Sequence, residues 1–143
     1  MSTACIVSAV RTAIGGFGGS LQDIPAPRLG AIVIKEALAR AGVSPTDVDE
    51  VIMGCVLQAG MGQGPGRQAA IHAGIPDTVP AWSINQLCGS GLKTVTLAAT
   101  AIASGEAHCM VVGGFESMSL APHLAPFVRN GKRLGSAEML DSM

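Results

Sequence analysis

The feature that most constrains the fold is a repeated pattern of apolar runs, glycine-rich loops and helical segments that stop at a glycine. The pattern predicts helices over 28–41, 67–73 and 89–104, followed directly by Gly42, Gly74 and Gly105. Glycine is favoured there because the residue after a helix commonly takes a left-handed conformation. Apolar runs predict strands over 4–10, 51–57, 78–85 and 107–112. Helices that alternate with apolar strands indicate an α/β fold with a largely parallel sheet.

Some boundaries are set by single residues. Pro80 interrupts the third apolar run, so that strand is expected either to begin after the proline or to lie at a sheet edge. Ser44 precedes Pro45, a pair suited to starting a short helical turn. After Ala121 the periodicity weakens, and the segment 120–143 is expected to be loop with one short helix.

Charge and hydropathy exclude several functions. The length of 143 residues fits one domain, and a hydrophobic content of 48% is enough for a core. A net charge of -1 leaves no basic face for nucleic acid. Between Thr78 and Val128 only three residues are charged, which indicates an interior segment. No run has the apolar length of a membrane span or the pattern of a signal peptide, so a cytoplasmic protein is expected.

The helix predicted over 89–104 is unusually poor in charge. One stripe carries Leu92, Val95, Ala99 and Ile102, and a second stripe carries Lys93 with three hydroxyl residues. Because a surface helix normally has a strongly polar face, this helix is expected to be buried on most sides. That burial requires more cover than 143 residues readily provide: a second copy, another chain, or further sequence.

The four cysteines are Cys5, Cys55, Cys88 and Cys109. No two have the Cys-x-x-Cys spacing, and no histidine stands at metal-ligand spacing from them, so no metal site is predicted. Four reduced thiols are expected, three of them packed in strands as small apolar residues.

Cys88 differs from the other three because it falls between a strand that ends near Asn85 and a helix that begins near Gly89. A thiol there faces the unpaired N–H groups and the positive end of the helix dipole, which favours the thiolate. Gly89 and Gly91 would leave room for a substrate, and the N–H groups could hold an oxyanion. From the residues alone, a nucleophile and a buried structural cysteine both remain open.

A family resemblance covers nearly the whole chain in order. The segment around Cys88, "INQLCGSGLK", resembles the nucleophile signature of the thiolases. Three further segments resemble the opening strand and loop, the second strand with its helix, and the end of the N-terminal half: "IVSAVRTAIGGFGGSL", "DVDEVIMGCVLQAGMGQGPGRQAAIHAGIP" and "VVGGFESMSLAPH". The chain is accordingly identified as similar to the N-terminal portion of a thiolase.

The resemblance implies a layered α/β/α/β/α architecture, of which this chain supplies the N-terminal mixed-sheet half with a buried helix after the nucleophile. It implies an N-terminal α/β domain over 1–119 and the start of a loop domain over 120–143. Cys88 would carry the acyl group in transfer between coenzyme A thioesters, joining two acetyl-CoA or cleaving a 3-ketoacyl-CoA. Acetyl-CoA or acyl-CoA would be substrates, no separate cofactor would be needed, and the protein would form a homo-oligomer, a dimer or a tetramer.

The chain also departs from the family pattern. The family uses a histidine that activates the nucleophile and a second cysteine that acts as acid and base, and both belong to motifs that this sequence does not contain. None of the three histidines and none of the other cysteines matches them, and residues that bind coenzyme A are not identified. Turnover by these 143 residues alone is therefore not expected. The alternatives are a condensing enzyme of the ketoacyl synthase type and a non-catalytic or partner-dependent subunit of the same fold.

Overall fold

The computed structural model describes residues 3–143. Three parallel strands form the main sheet: β1 (Glu50–Gly54), β2 (Ala81–Ile84) and β3 (Met110–Gly114), in the order β2-β1-β3. Three helices accompany them: α1 (Ala26–Ala41), α2 (Pro65–Ala73) and α3 (Ser90–Ser104). A separate antiparallel pair joins β4 (His123–Leu124) to β5 (Leu140–Asp141). The predicted α/β fold with a parallel sheet is confirmed.

The helix ends follow the glycine pattern. Gly42, Gly74 and Gly105 each adopt a left-handed conformation directly after a helix. β2 begins after Pro80 and also lies at the edge of the sheet. Ser44 caps a single 3-10 turn over Pro45–Asp47, where its hydroxyl accepts a hydrogen bond from the Thr46 N–H. These local rules therefore place most element boundaries within about three residues.

The sheet has helices on both faces. Val51 and Met53 pack in the main core with α1 and α2. Alternate residues of a strand point to opposite sides, so Ile52 and Gly54 face the other way, where Gly54 meets the start of α3. The connection from β1 to β2 and the connection from β2 to β3 run in opposite directions along the strand order, and crossovers between parallel strands are almost always right-handed. Helices α2 and α3 are therefore expected on opposite faces.

One predicted strand is not formed. Residues 4–10 run without regular structure, and Ile6 and Val7 are largely exposed. An apolar run becomes a strand only if another backbone edge pairs with it. In the described part of the chain this segment has no such partner, and a cavity of about 300 Å³ separates it from β3, α1 and α3.

Further expectations differ from the structure. The main sheet is parallel rather than mixed, because the antiparallel β4–β5 pair stands apart from it. The helix after Cys88 is buried along one face within this chain, where Ser90, Thr94 and Ala98 are buried and Leu92 is 72% exposed. Its burial on most sides, which is expected to need cover beyond these 143 residues, remains a prediction. Small residues rather than the apolar stripe face the sheet, since they let the helix approach closely. Over 120–143 the described residues contain β4 and β5 and no complete helix. The proposed boundary at residue 119 remains a prediction.

Candidate active site

Cys88 lies in the turn between the end of β2 at Ile84 and the start of α3 at Ser90, and its side chain is exposed. This turn is at the carboxyl edge of the parallel sheet. The segments that follow β1 and β3 leave the sheet at the same edge. Open parallel α/β sheets bind ligands in the crevice at that edge. The predicted nucleophile therefore occupies the position where such a fold places its chemistry.

Glycines hold the start of α3 close to the sheet. A Cβ added to Gly54 would lie 2.7 Å from the Ser90 Cβ and 2.9 Å from the Gly91 N. A Cβ added to Gly114 would lie 3.5 Å from the Gly91 Cα. A side chain at Gly54 would push the helix away, whereas one at Gly114 would only touch it, so Gly54 sets how closely the start of α3 approaches the sheet.

The turn over residues 85–90, called the Leu87 turn below, contains unusual backbone geometry. Leu87 has φ +49° and is the only non-glycine residue with positive φ in the range 3–143. The Asn85 Oδ1 accepts a hydrogen bond from the Leu87 N–H at 2.9 Å. The Ser90 Oγ donates to the Leu87 carbonyl at 2.6 Å and accepts from the Gln86 N–H at 2.8 Å. The backbone just before Cys88 is thus held on both sides by side chains.

Free N–H groups lie at the start of α3, three and four residues after Cys88. Within the described residues, the N–H groups of Gly91 and Leu92 have no hydrogen-bond acceptor, as expected for the first turn of a helix. A Cβ added to Gly91 would meet no atom within 4 Å, so the backbone there is open. The first turn of α3 can therefore donate hydrogen bonds to negative charge that develops close to Cys88.

Glu116 also lies at the carboxyl edge of the sheet, and the sequence did not single it out as a site residue. It follows β3, and its carboxylate accepts hydrogen bonds from the N–H groups of Val56 and Leu57 at 2.9 and 3.1 Å. It also lies 3.6 Å from the Cys55 Sγ. Burial, reinforced by the Glu116 charge, raises the pKa of the Cys55 thiol to about 12. The available signal was that Glu116 is one of only three charged residues between Thr78 and Val128.

The other thiols are dispersed. Cys5 is exposed in the segment that forms no strand, Cys55 is buried directly after β1, and Cys109 directly precedes β3. Burial first, and then the charges of Asp49 and Asp47, raises the pKa of Cys109. The expectation that three cysteines lie in strands is therefore wrong: two adjoin strands, and none of the four is inside one.

The histidines lie on separate elements. His72 is in the last turn of α2, His123 is in β4, and His108 precedes β3 at the amino edge of the sheet. His108 and Cys88 are therefore at opposite edges. Across residues 3–143, no group of three His, Cys, Asp or Glu side chains could hold a metal ion. No helix among these residues is long and apolar enough to cross a bilayer.

Comparison with known proteins identifies the family of the chain. The family model described as "Thiolase, N-terminal domain" matches residues 4–143, which include the Leu87 turn and the carboxyl edge of the sheet. The chain belongs to the thiolase family. The matched range contains every helix and strand described above.

Three thiolase relatives match all or nearly all of this chain. The chain is 62% identical over 143 residues to "Acetyl-CoA acetyltransferase" of Cupriavidus necator, covering 100% of this chain and 36% of that protein. It is 54% identical over 143 residues to the protein of the same name from Pseudomonas aeruginosa, with 100% and 36% covered. It is 55% identical over 138 residues to "Acetyl-CoA acetyltransferase, cytosolic" of Rattus norvegicus, with 96% and 34% covered. The chain thus spans about a third of the length of these relatives.

Proposed function

We propose that the protein containing this chain is a thiolase that transfers acyl groups between coenzyme A thioesters, and that Cys88 carries the acyl group. The observation that carries the proposal is the position of Cys88, exposed at the first turn of a helix whose Gly91 and Leu92 N–H groups are free among the described residues. Relatives named acetyl-CoA acetyltransferase support acetyl-CoA as the substrate.

In the first step the Cys88 Sγ attacks the carbonyl carbon of an acetyl thioester. The bond between that carbon and the coenzyme A sulfur breaks, coenzyme A leaves with the proton of the Cys88 thiol, and an acetyl-cysteine remains. The tetrahedral intermediate carries negative charge on its oxygen. We assign stabilisation of that charge to the N–H groups at the start of α3, a role supported by their lack of an acceptor among the described residues.

In the second step the α-carbon of another acetyl-CoA gives up a proton and attacks the acetyl-cysteine. A carbon–carbon bond forms, the bond to the Cys88 Sγ breaks, and acetoacetyl-CoA is released. The proton returns to the Cys88 thiol, so the step balances. Cleavage of a 3-ketoacyl-CoA runs the same steps in reverse. Because none of this chain's histidines or remaining cysteines matches the family's acid and base, we assign those roles to no residue of the chain.

The central experiment is mass spectrometry of the intact protein after incubation with acetyl-CoA. We expect an acetyl group on Cys88 and none after Cys88→Ala. Cys5→Ala is the matched control, because Cys5 is also an exposed thiol but lies away from a helix start. This control variant should acquire the adduct as the unsubstituted protein does.

Absence of an acetyl group on Cys88, even with a candidate partner subunit present, would contradict the proposal and favour a non-catalytic subunit of the thiolase fold. A separate expectation concerns the chain by itself. The purified 143 residues should show no thiolysis of acetoacetyl-CoA, and clear turnover would contradict that expectation.

Further parts of the proposal rest on the family and its members. We place the protein in the cytoplasm, supported by the word "cytosolic" in the name of the rat relative. A homo-oligomer, dimer or tetramer, and a requirement for no cofactor beyond the coenzyme A substrates remain predictions. Size-exclusion chromatography with light scattering checks the first, and activity after exhaustive dialysis checks the second.

A further inference from the structure

Leu87 adopts a conformation that its own side chain does not explain. A leucine with positive φ is strained, because its Cβ crowds the following carbonyl oxygen. The Leu87 side chain is 69% exposed, so packing does not compensate. Strained residues persist only where their surroundings over-determine them, and they cluster at functional sites. Leu87 is therefore held by interactions outside its own side chain.

Side chains on either side of Leu87 hold its two peptide groups. Asn85 accepts from the Leu87 N–H at 2.9 Å, and Ser90 donates to the Leu87 carbonyl at 2.6 Å. Ser90 also accepts from the Gln86 N–H at 2.8 Å, so one hydroxyl bridges both ends of the turn. With both peptide groups bound, the backbone that leads into Cys88 has little freedom to rotate.

Ser90 connects this turn to the sheet. It is 4% exposed, and the absence of a side chain at Gly54 lets the Ser90 Cβ approach β1 closely. Asn85 provides a second connection, since its Nδ2 lies 3.5 Å from the Val56 carbonyl in the segment after β1. Both side chains thus relate the Leu87 turn to β1, a strand whose central residues are buried.

We propose that Ser90 and Asn85 are positioning residues which hold Leu87 in its left-handed conformation and so place the Cys88 Sγ at the first turn of α3. The inference rests on the proposed role of Cys88 as the acyl carrier and adds the residues that position it. Neither residue needs to touch the substrate. Their effect is on the backbone direction at Leu87, which sets where the following residue points.

The test uses the intact protein and measures modification of Cys88 by mass spectrometry, once with acetyl-CoA and once with iodoacetamide. Ser90→Ala removes two hydrogen bonds, and the loss of even one well-formed bond corresponds to up to about a tenfold change, so this variant should slow both modifications at least about tenfold. Ser104→Ala is the matched control, because that serine is on the same helix and donates only to the Ala101 carbonyl. The control should react as the unsubstituted protein does.

A double variant separates positioning from general stability. Glycine takes positive φ at little cost, so after Leu87→Gly the added Ser90→Ala should slow modification less than about threefold. A Ser90 that merely stabilises the fold would show the same loss in both backgrounds. If Ser90→Ala does not fold, Asn85→Ala replaces it. Asn85 is exposed and takes no part in the close contact between Ser90 and Gly54. Asn85→Ala should also slow the modification of Cys88 about tenfold.

The proposal is overturned if Ser90→Ala and Asn85→Ala both react at the unsubstituted rate, or if the tenfold loss persists with glycine at position 87. The two reagents separate this outcome from failure of the proposed function. If acetyl-CoA leaves Cys88 unmodified in the unsubstituted protein, the thiolase proposal fails, whereas the iodoacetamide rates still decide whether Ser90 and Asn85 position the thiol.

Discussion

The two faces of the three-stranded sheet bury very different amounts of apolar surface. On one face, α1 and α2 enclose a continuous core that includes Ile34, Val51 and Met53. On the other face, α3 buries only Ser90, Thr94 and Ala98. Because burial of apolar surface is the main favourable contribution to folding, the α1–α2 face supplies most of the stability. The Cys88 turn leads into α3, so the proposed nucleophile adjoins the face with the smaller apolar core.

The sharpest test of this difference compares an apolar truncation on each helix of the 143-residue chain. Ile34 is 1% exposed, so Ile34→Ala should lower the free energy of unfolding by about 2–5 kcal/mol. Leu92 is mostly exposed, so Leu92→Ala should change it by less than about 0.5 kcal/mol. Urea denaturation of both variants measures the values. Equal losses of unfolding free energy in the two variants would contradict the difference in apolar burial between the two faces.

A second pair of variants tests whether the Cys88 turn responds only to its own face. Gly54→Ala would force the new Cβ against Ser90, and Gly66→Ala would force one against the Trp82 carbonyl. Overpacking costs about 1–3 kcal/mol, so both variants should be destabilised. Only Gly54→Ala should also slow iodoacetamide modification of Cys88. Slower modification in Gly66→Ala would show that the α2 side also controls the turn.

The thiols offer a third comparison, between Cys55 and Cys88. Since burial and the Glu116 charge raise the pKa of Cys55 to about 12, this thiol should remain unmodified by iodoacetamide at pH about 8, where the exposed Cys88 reacts. The raised pKa also has a consequence for stability. The folded state keeps the proton more strongly than the unfolded state, so stability is complete below the ordinary pKa of 9.0 and falls as the pH rises towards 12.

Cys55→Ala is the control for that pH dependence. Between pH about 8 and about 11 the unsubstituted chain should lose more stability than Cys55→Ala, as measured by urea midpoints. Parallel losses in the two proteins would contradict the assigned cause.

The smallest effect is expected at the amino edge of the sheet. The Asp49 Oδ2 accepts from the Cys109 and His108 N–H groups, at 2.9 and 2.6 Å, and these bonds lower the pKa of Asp49. The contribution of Asp49 to the stability of the fold is present above its ordinary pKa of 3.8 and is lost as the pH falls through its lowered pKa in the folded state. Asp49→Asn should lower the thermal midpoint slightly at neutral pH, converge with the unsubstituted chain in acid, and leave Cys88 modification unchanged. Slower modification of Cys88 would show that the two edges are coupled.

The parts of the fold that the sequence predicts are those governed by local backbone chemistry. Gly42, Gly74 and Gly105 end helices because glycine takes positive φ without strain. Pro80 marks where β2 cannot yet have begun, because proline lacks the N–H that a ladder requires. The same rules predict that Cys88 lies just before a helix, and the structure confirms that position. Its chemical role remains a proposal.

The parts that could not be predicted depend on contacts between distant residues. Residues 4–10 have the composition of a strand, but pairing requires a partner edge that composition does not report. The stripe containing Leu92 is more apolar than the stripe containing Thr94, yet Thr94 faces the sheet and donates to the Gly113 carbonyl. Leucine rarely adopts positive φ, so the sequence could not predict the left-handed conformation of Leu87. Glu116 binds a segment about 60 positions earlier, a separation beyond any local pattern.

The cavity beside β3 has a consequence for how the chain behaves in solution. β3 forms one side of the sheet, and among residues 3–143 its outer backbone has no hydrogen-bonded neighbour. An unpaired edge of parallel strands is a template on which another extended polypeptide can add. The exposed apolar residues Ile6 and Val7 lie in the segment on the far side of this cavity. Concentrated preparations of these 143 residues should therefore self-associate along β3, which light scattering over a series of protein concentrations would measure.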